Sequence, residues 1–88
     1  MQAIRANKFN QRTAGIKILI DAQVIKKAKV IDAEKEGFNV VLEAVGYEQD
    51  INLMHAKKPE IKQFKTIEAA IQFCRRELSL RGGIEVLA

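Results

Sequence analysis

The sequence predicts one α+β domain, in which a small antiparallel sheet of three to five strands is packed by a C-terminal helix. Short runs of β-branched and aromatic residues, separated by compact polar turns, fill the middle of the chain. A run with helical periodicity follows them near the C-terminus. With 88 residues the chain is too short for two ordinary domains. Residues 1–10 show no clean period, and we expect them to form an arm before a domain over 11–88.

The sheet is predicted from three consecutive runs, at residues 26–33, 38–45 and 51–56. The polar segments 34–37 and 46–50 separate these runs, and turns this short join neighbouring strands in antiparallel order, as a β-meander. Pro59 interrupts the pattern, because proline cannot donate to a strand ladder. A short edge strand is expected after it, at 61–64.

The best-defined element is a helix from about Thr66 to Ser79. Thr66 is a suitable N-cap, and apolar residues recur at helical spacing behind it, at Ile67, Ala70, Ile71, Cys74 and Leu78. Residues 84–87 then alternate as a closing strand would.

Residues 13–24 fit two structures equally well. Ile16, Ile18 and Ile20 alternate with other residues, as in a strand with β-branched side chains. Ile16, Leu19, Ile20 and Val24 also share one face of a helix. Periodicity alone therefore leaves helix and strand open here.

The net charge of +4 is unevenly distributed along the chain. Residues 1–31 carry +6, residues 32–50 carry −5 and residues 51–88 carry +3. A molecule with such a basic end is suited to neutralising phosphates, and we expect a small nucleic-acid-binding protein. The alternative is that these lysines and arginines only solvate exposed faces.

The residues predicted to contact nucleic acid lie in the arm, in the first strand and around Pro59. They are Arg5, Lys8, Arg12, Lys26, Lys27, Lys29, Lys57, Lys58 and Lys62. The lysines of the first strand have no evident local partner, whereas Arg75 and Arg76 favour the negative end of a helix dipole. We therefore expect two clusters, Lys26/Lys27/Lys29 and Lys57/Lys58, to contribute more to binding than the C-terminal arginines.

Catalytic chemistry is sparse, and we expect no enzyme, metal site, cofactor or small-molecule substrate. The chain has one cysteine and one histidine, and Cys74 falls on the apolar face of the predicted helix. A Cys74–His55 nucleophile pair is a remote alternative. The single cysteine suits a reducing compartment. No run is long enough to span a membrane and the first residues lack a signal-peptide core, so we expect a cytoplasmic protein.

A second apolar sheet face predicts self-association. Val41 and Val45 point away from the face that carries Phe38, Val40 and Leu42. One helix covers one face only, so we expect a homodimer with Val41 and Val45 in its interface. The alternative function is accordingly a protein-interaction module that acts through this apolar face.

Three segments resemble those of a loosely defined group of small proteins encoded on plasmids and integrating elements. They are Gly37-Phe38-Asn39-Val40-Val41, the segment 63–70, and Gly83-Ile84. The resemblance implies a short helix before the meander, which favours the helix over 13–24. It also implies a mobile-DNA context, but it carries over no functional residue.

Overall fold

The computed structural model describes residues 5–34 and 37–87, which form a mixed sheet with two helices on it. The elements in these ranges are β1 (Asn10–Gln11), α1 (Thr13–Asp21), β2 (Ile25–Asp32), β3 (Phe38–Ala44), β4 (Ile51–Leu53), β5 (Gln63–Phe64), α2 (Ile67–Arg76) and β6 (Ile84–Leu87). The predicted α+β class is confirmed. The predicted arm ends as a strand, so the order of elements differs from the expected one. Residues 1–4 of that arm and 35–36 of the predicted turn lie outside the described residues.

The purely antiparallel meander is wrong, because the sheet is mixed. Its strand order is β1-β4-β3-β2-β6, and β5 also pairs with β3. The central pairs β2–β3 and β3–β4 are antiparallel, as expected for strands joined by short turns. The outer pairs β1–β4 and β2–β6 are parallel. Each outer strand is connected to the centre through a helix, and such a crossover brings the chain back in the same direction.

The strands β4 and β5 are two halves of one interrupted strand along β3. β4 lies opposite Val41 and Leu42, and β5 lies opposite Phe38 and Asn39. Between them residues 55–60 leave the sheet as a loop, which we call the 55–60 loop. A bridge between Met54 and Ile61 closes its base. The interruption contains Pro59 and projects a lysine-rich segment from the sheet edge.

Both helices pack on the same face of the sheet, which holds the core. Residues 13–21 are helical, and this resolves the ambiguity: Ile16 is fully buried while Ile18 is 68% exposed. A strand would place these two side chains on one face, so only a helix separates them. α2 begins behind Thr66, whose hydroxyl accepts a 3.0 Å hydrogen bond from the Ala69 amide. Its buried residues face the central strands.

The opposite face of the sheet, which we call the outer face, carries mostly polar side chains. Register places Lys27, Lys29 and Glu43 on it, together with Asn52. Val41 lies among them, yet it is only 6% exposed within the single chain. The outer face is therefore mainly polar and charged, with Val41 as a covered apolar residue among the charges and the pair Ile31–Leu87 at its β6 side.

Candidate nucleic-acid interface

The lysines of β2 are ion-paired on the outer face. Lys27 Nζ lies 3.5 Å from Glu85 Oε2 and 3.9 Å from Glu43 Oε2. Lys29 Nζ lies 3.0 Å from Asp50 Oδ2. The expectation that these lysines lack local partners is wrong. Their acids come from β3, the β3–β4 turn and β6, and only the folded sheet brings them close.

Lys29 is the more tightly held of the two. Its hydrogen bond to the Asp50 carboxylate raises the pKa of the ammonium above the ordinary value of 10.5. The charges of Asp50, Glu43 and Glu85 act in the same direction, while partial burial opposes them. Lys29 stays protonated at neutral pH, but its charge is balanced by neighbouring carboxylates. A phosphate would have to compete with those carboxylates for it.

Lys26 stands apart from the other predicted contacts. It lies at an irregularity in the β2–β3 pairing and is exposed. Its carbonyl is next to Gly82, in the segment that leads into β6. The structure therefore places Lys26 near the β6 side of the sheet, away from β1.

Arg12 connects the arm to the 55–60 loop. Its Nη1 donates to the carbonyl oxygens of His55, at 2.7 Å, and Lys58, at 3.2 Å. The parallel pairing of β1 with β4 puts the arm beside the strand that precedes the loop. One guanidinium thus positions the loop while its positive charge remains without a carboxylate partner among the described residues.

The basic groups of the arm and of the loop consequently lie along one edge of the sheet. We call this surface the basic edge; it comprises Arg5, Lys8, Arg12, Lys57 and Lys58. Lys57 and Lys58 are exposed, as are Arg5 and Lys8. The ion pairs found within residues 5–34 and 37–87 involve none of the five. In the segments 5–12 and 55–60 the one acidic residue is Glu60.

A lysine and a pair of aromatic rings meet at each of two places beside this edge. Lys8 Nζ lies 5.5 Å from the ring centre of Phe9 and 5.0 Å from that of Tyr47. Lys62 Nζ lies 5.3 Å from Phe64 and 5.2 Å from the ring of Phe73. Distances of this size fit cation–π attraction. Lys62, a predicted contact, is therefore held against aromatic rings rather than against an acid.

Sequence reasoning missed Phe73 and Arg76, which lie on α2 next to Lys62 and line a groove with it. Phe73 and Arg76 are three residues apart and share a side of the helix. The sequence shows that spacing, but it does not show that α2 packs beside β5, where Lys62 lies.

The predicted dimer interface does not form one apolar face. Val41 is covered within the chain, at 6% exposure, whereas Val45 lies beyond the end of β3 and is 57% exposed. A second copy is not needed to cover Val41, and the homodimer stays a prediction.

Cys74 is a core residue. It is fully buried, and burial raises the pKa of its thiol to about 11. The thiol is therefore protonated at neutral pH and closed to substrate, so the specific Cys74–His55 pair loses its nucleophile. His55 Nδ1 accepts a hydrogen bond from the Lys57 amide at 3.3 Å.

Residues 5–34 and 37–87 form neither a metal centre nor a membrane-spanning helix. No group of three or more His, Cys, Asp or Glu residues there is arranged to hold a metal ion. Neither helix there is long and apolar enough to cross a membrane. Comparison with protein-family models, with curated proteins and with solved structures found no match.

Proposed function

We propose that this protein binds nucleic acid without catalysing a reaction, and that it holds the phosphate backbone on the basic edge. The observation that carries the proposal is the contrast between two groups of cations, the lysines of the outer face and the five residues of the basic edge. On the outer face, ion pairs occupy Lys27 and Lys29. On the basic edge, none of the five cations forms an ion pair among the described residues, so their charge is free to attract a polyanion.

The shape of the basic edge suits an extended chain of phosphates. Lys8 precedes β1, and the loop lysines lie beyond the end of the neighbouring β4. Lys8 lies in a tight turn that hydrogen bonds between Asn7 and Asn10 close, so it projects from the beginning of β1. With Arg5, Lys57 and Lys58 it makes four cations that are each free to neutralise one phosphate, or about four phosphates in all.

Each member of the edge has a defined role in the proposal. Lys57 and Lys58 contact phosphates from the loop, and Arg5 and Lys8 contact them from the arm. Arg12 acts through the loop, because its guanidinium is engaged with two backbone carbonyls. The resemblance to proteins of plasmids and integrating elements supports nucleic acid as the polyanion. Phosphate contacts of this kind supply affinity and little base specificity.

The test is binding of fluorescently labelled nucleic acid, followed by anisotropy at several salt concentrations. Single-stranded and duplex DNA and RNA of mixed sequence should be compared. With about four phosphates neutralised, the logarithm of the duplex binding constant should fall with the logarithm of salt concentration with a slope of about −4. Absence of binding at low salt, or binding that does not respond to salt, would overturn the proposal.

A further inference from the structure

The groove between β5 and α2 combines aromatic and cationic groups. It has a volume of about 290 Å³, and Phe64, Phe73, Lys62 and Arg76 are among the residues that line it. The ring centres of Phe64 and Phe73 are 5.3 Å apart, and the rings are tilted by 58°. Phe64 is 8% exposed and supports the groove from below. Phe73 is half-buried and offers part of its ring to solvent.

Lys62 is fixed above both rings. Its Nζ is nearly equidistant from the two ring centres, at 5.3 and 5.2 Å. A lysine held in this way loses less side-chain freedom when it binds an anion, since part of that freedom is already lost. Arg76 is exposed at the other side of the groove. Glu77 also lines the groove, but it forms no ion pair with Lys62 or Arg76 in the described structure.

We propose that this groove binds one nucleotide unit, with its phosphate between Lys62 and Arg76 and its base or sugar against Phe73. The size supports a small ligand, because drug-sized pockets begin at about 300 Å³. Lys62 and Arg76 favour an anionic group, and the partly exposed ring of Phe73 favours a flat or apolar group beside that anion. A nucleotide carries both within one unit.

The groove is continuous with the basic edge, and in this respect the inference rests on the proposed function. Lys62 lies two residues beyond the 55–60 loop, and its amide donates to the Leu53 carbonyl at 3.0 Å. A strand lying along Lys57 and Lys58 would reach the groove next. Bases of a duplex are stacked on each other, whereas those of a single strand are free to meet an aromatic ring. The groove therefore gives the protein a preference for single-stranded nucleic acid.

The experiment compares an oligothymidylate of about 12 nucleotides with a duplex of equal length, in wild type and three variants. Arg76→Gln removes the exposed cation, and Phe73→Leu removes the ring but keeps an apolar side chain. Arg81→Gln is the matched control, because Arg81 is also exposed but does not line this groove. We expect each groove variant to lower oligothymidylate affinity by at least about fivefold, which is the effect of losing one stacked base. Duplex affinity should change by less than a factor of about two, and Arg81→Gln should resemble wild type.

The two proposals fail in different ways. If wild type binds both polymers and the groove variants bind oligothymidylate as wild type does, the groove is excluded while the basic edge stands. If wild type binds neither polymer, the proposed function fails, and the groove is tested with thymidine monophosphate and with inorganic phosphate. Amide resonances of Gln72, Phe73 and Arg76 should then shift with the nucleotide at lower concentration than with phosphate. Equal or absent shifts would overturn the groove site.

Circular dichroism of Phe73→Leu shows whether this variant folds. If it does not fold, the oligothymidylate affinity of Arg76→Gln alone tests the groove.

Discussion

The outer face and the basic edge both carry several lysines, but their surroundings differ. On the outer face, strand register sets Lys27 opposite Glu43, and Asp50 of the β3–β4 turn pairs with Lys29, so the fold of the sheet neutralises both lysines. On the basic edge, the partners of the cations are backbone carbonyls and aromatic rings, which leave the positive charge in place. The availability of a lysine for phosphate is thus decided by the elements that pack beside it, and a count of lysines does not reveal it.

The largest effect on stability is expected at Val41, the covered apolar residue of the outer face. Val41→Asp places a carboxylate where 6% of the side chain is exposed, between Lys29 and Asn52 of the adjacent strands. A short charged side chain in this position cannot reach bulk water. We expect the free energy of unfolding to fall by more than about 3 kcal/mol, measured by urea denaturation.

Val45→Asp is the control for that variant, because Val45 is 57% exposed. Its unfolding free energy should change by less than about 0.5 kcal/mol, as for most surface substitutions. If Val41→Asp cost as little as Val45→Asp, Val41 would not be covered within one chain. If both variants lost more than about 3 kcal/mol, an interface between copies would be favoured.

A smaller effect is expected at the anchor of the basic edge. Arg12→Gln removes the hydrogen bonds to the carbonyls of His55 and Lys58, which are 2.7 and 3.2 Å long. Hydrogen bonds from charged donors contribute about 1.5–3 kcal/mol when buried, and these are part-exposed, so we expect a loss of about 1–2 kcal/mol. Polynucleotide binding should weaken as well, because the loop lysines lose their position. Arg81→Gln, which breaks neither bond, should leave both stability and binding unchanged; if it matches Arg12→Gln, the anchoring role is wrong.

The smallest effect is the pH dependence of the stability that the Lys29–Asp50 ion pair on the outer face contributes. The pKa of Lys29 is raised by Asp50, so the folded protein holds this proton more tightly than the unfolded chain does. The resulting stability is fully present below pH 10.5 and is lost as pH rises through the raised value. Asp50→Asn removes the carboxylate that accepts the hydrogen bond of Lys29, and with it the main cause of the raised pKa of Lys29.

The difference in urea midpoint between wild type and Asp50→Asn should therefore be constant near neutral pH and shrink above pH 10.5. Cys74 has a pKa raised to about 11, but it ionises in both proteins and its contribution cancels. A difference that stays constant through this range would contradict the ion pair.

Local patterns predicted the elements whose structure depends on local contacts. The strands β2 and β3 and the helix behind Thr66 follow from alternation, turn residues and a cap. The parallel pairing of β1 and β6 could not be predicted, because it depends on helices returning the chain across the sheet.

The candidate site shows the same limit. The sequence predicted the same phosphate-binding role for Lys57 and Lys58, which are exposed, as for Lys27 and Lys29, which are ion-paired. The acids that pair with those two, Glu85 and Asp50, are 58 and 21 residues away from them along the chain. Phe73 and Arg76 met Lys62 only through the packing of α2 on β5. Contacts between residues so distant in sequence leave no periodic signal.

The central claim is that the basic edge, and not the outer face, binds nucleic acid. Lys57→Gln/Lys58→Gln and Lys27→Gln/Lys29→Gln both lower the net charge by two, so long-range attraction weakens equally. Removing the outer-face lysines also frees three carboxylates, which biases the comparison against the claim.

The most direct measurement is the salt dependence of duplex DNA binding for these two variants, between about 50 and 200 mM salt. The edge variant should lose about two units of slope, one for each phosphate contact, while the outer-face variant keeps the wild-type slope. A wild-type slope in the edge variant, or an equal loss in the outer-face variant, would contradict the account.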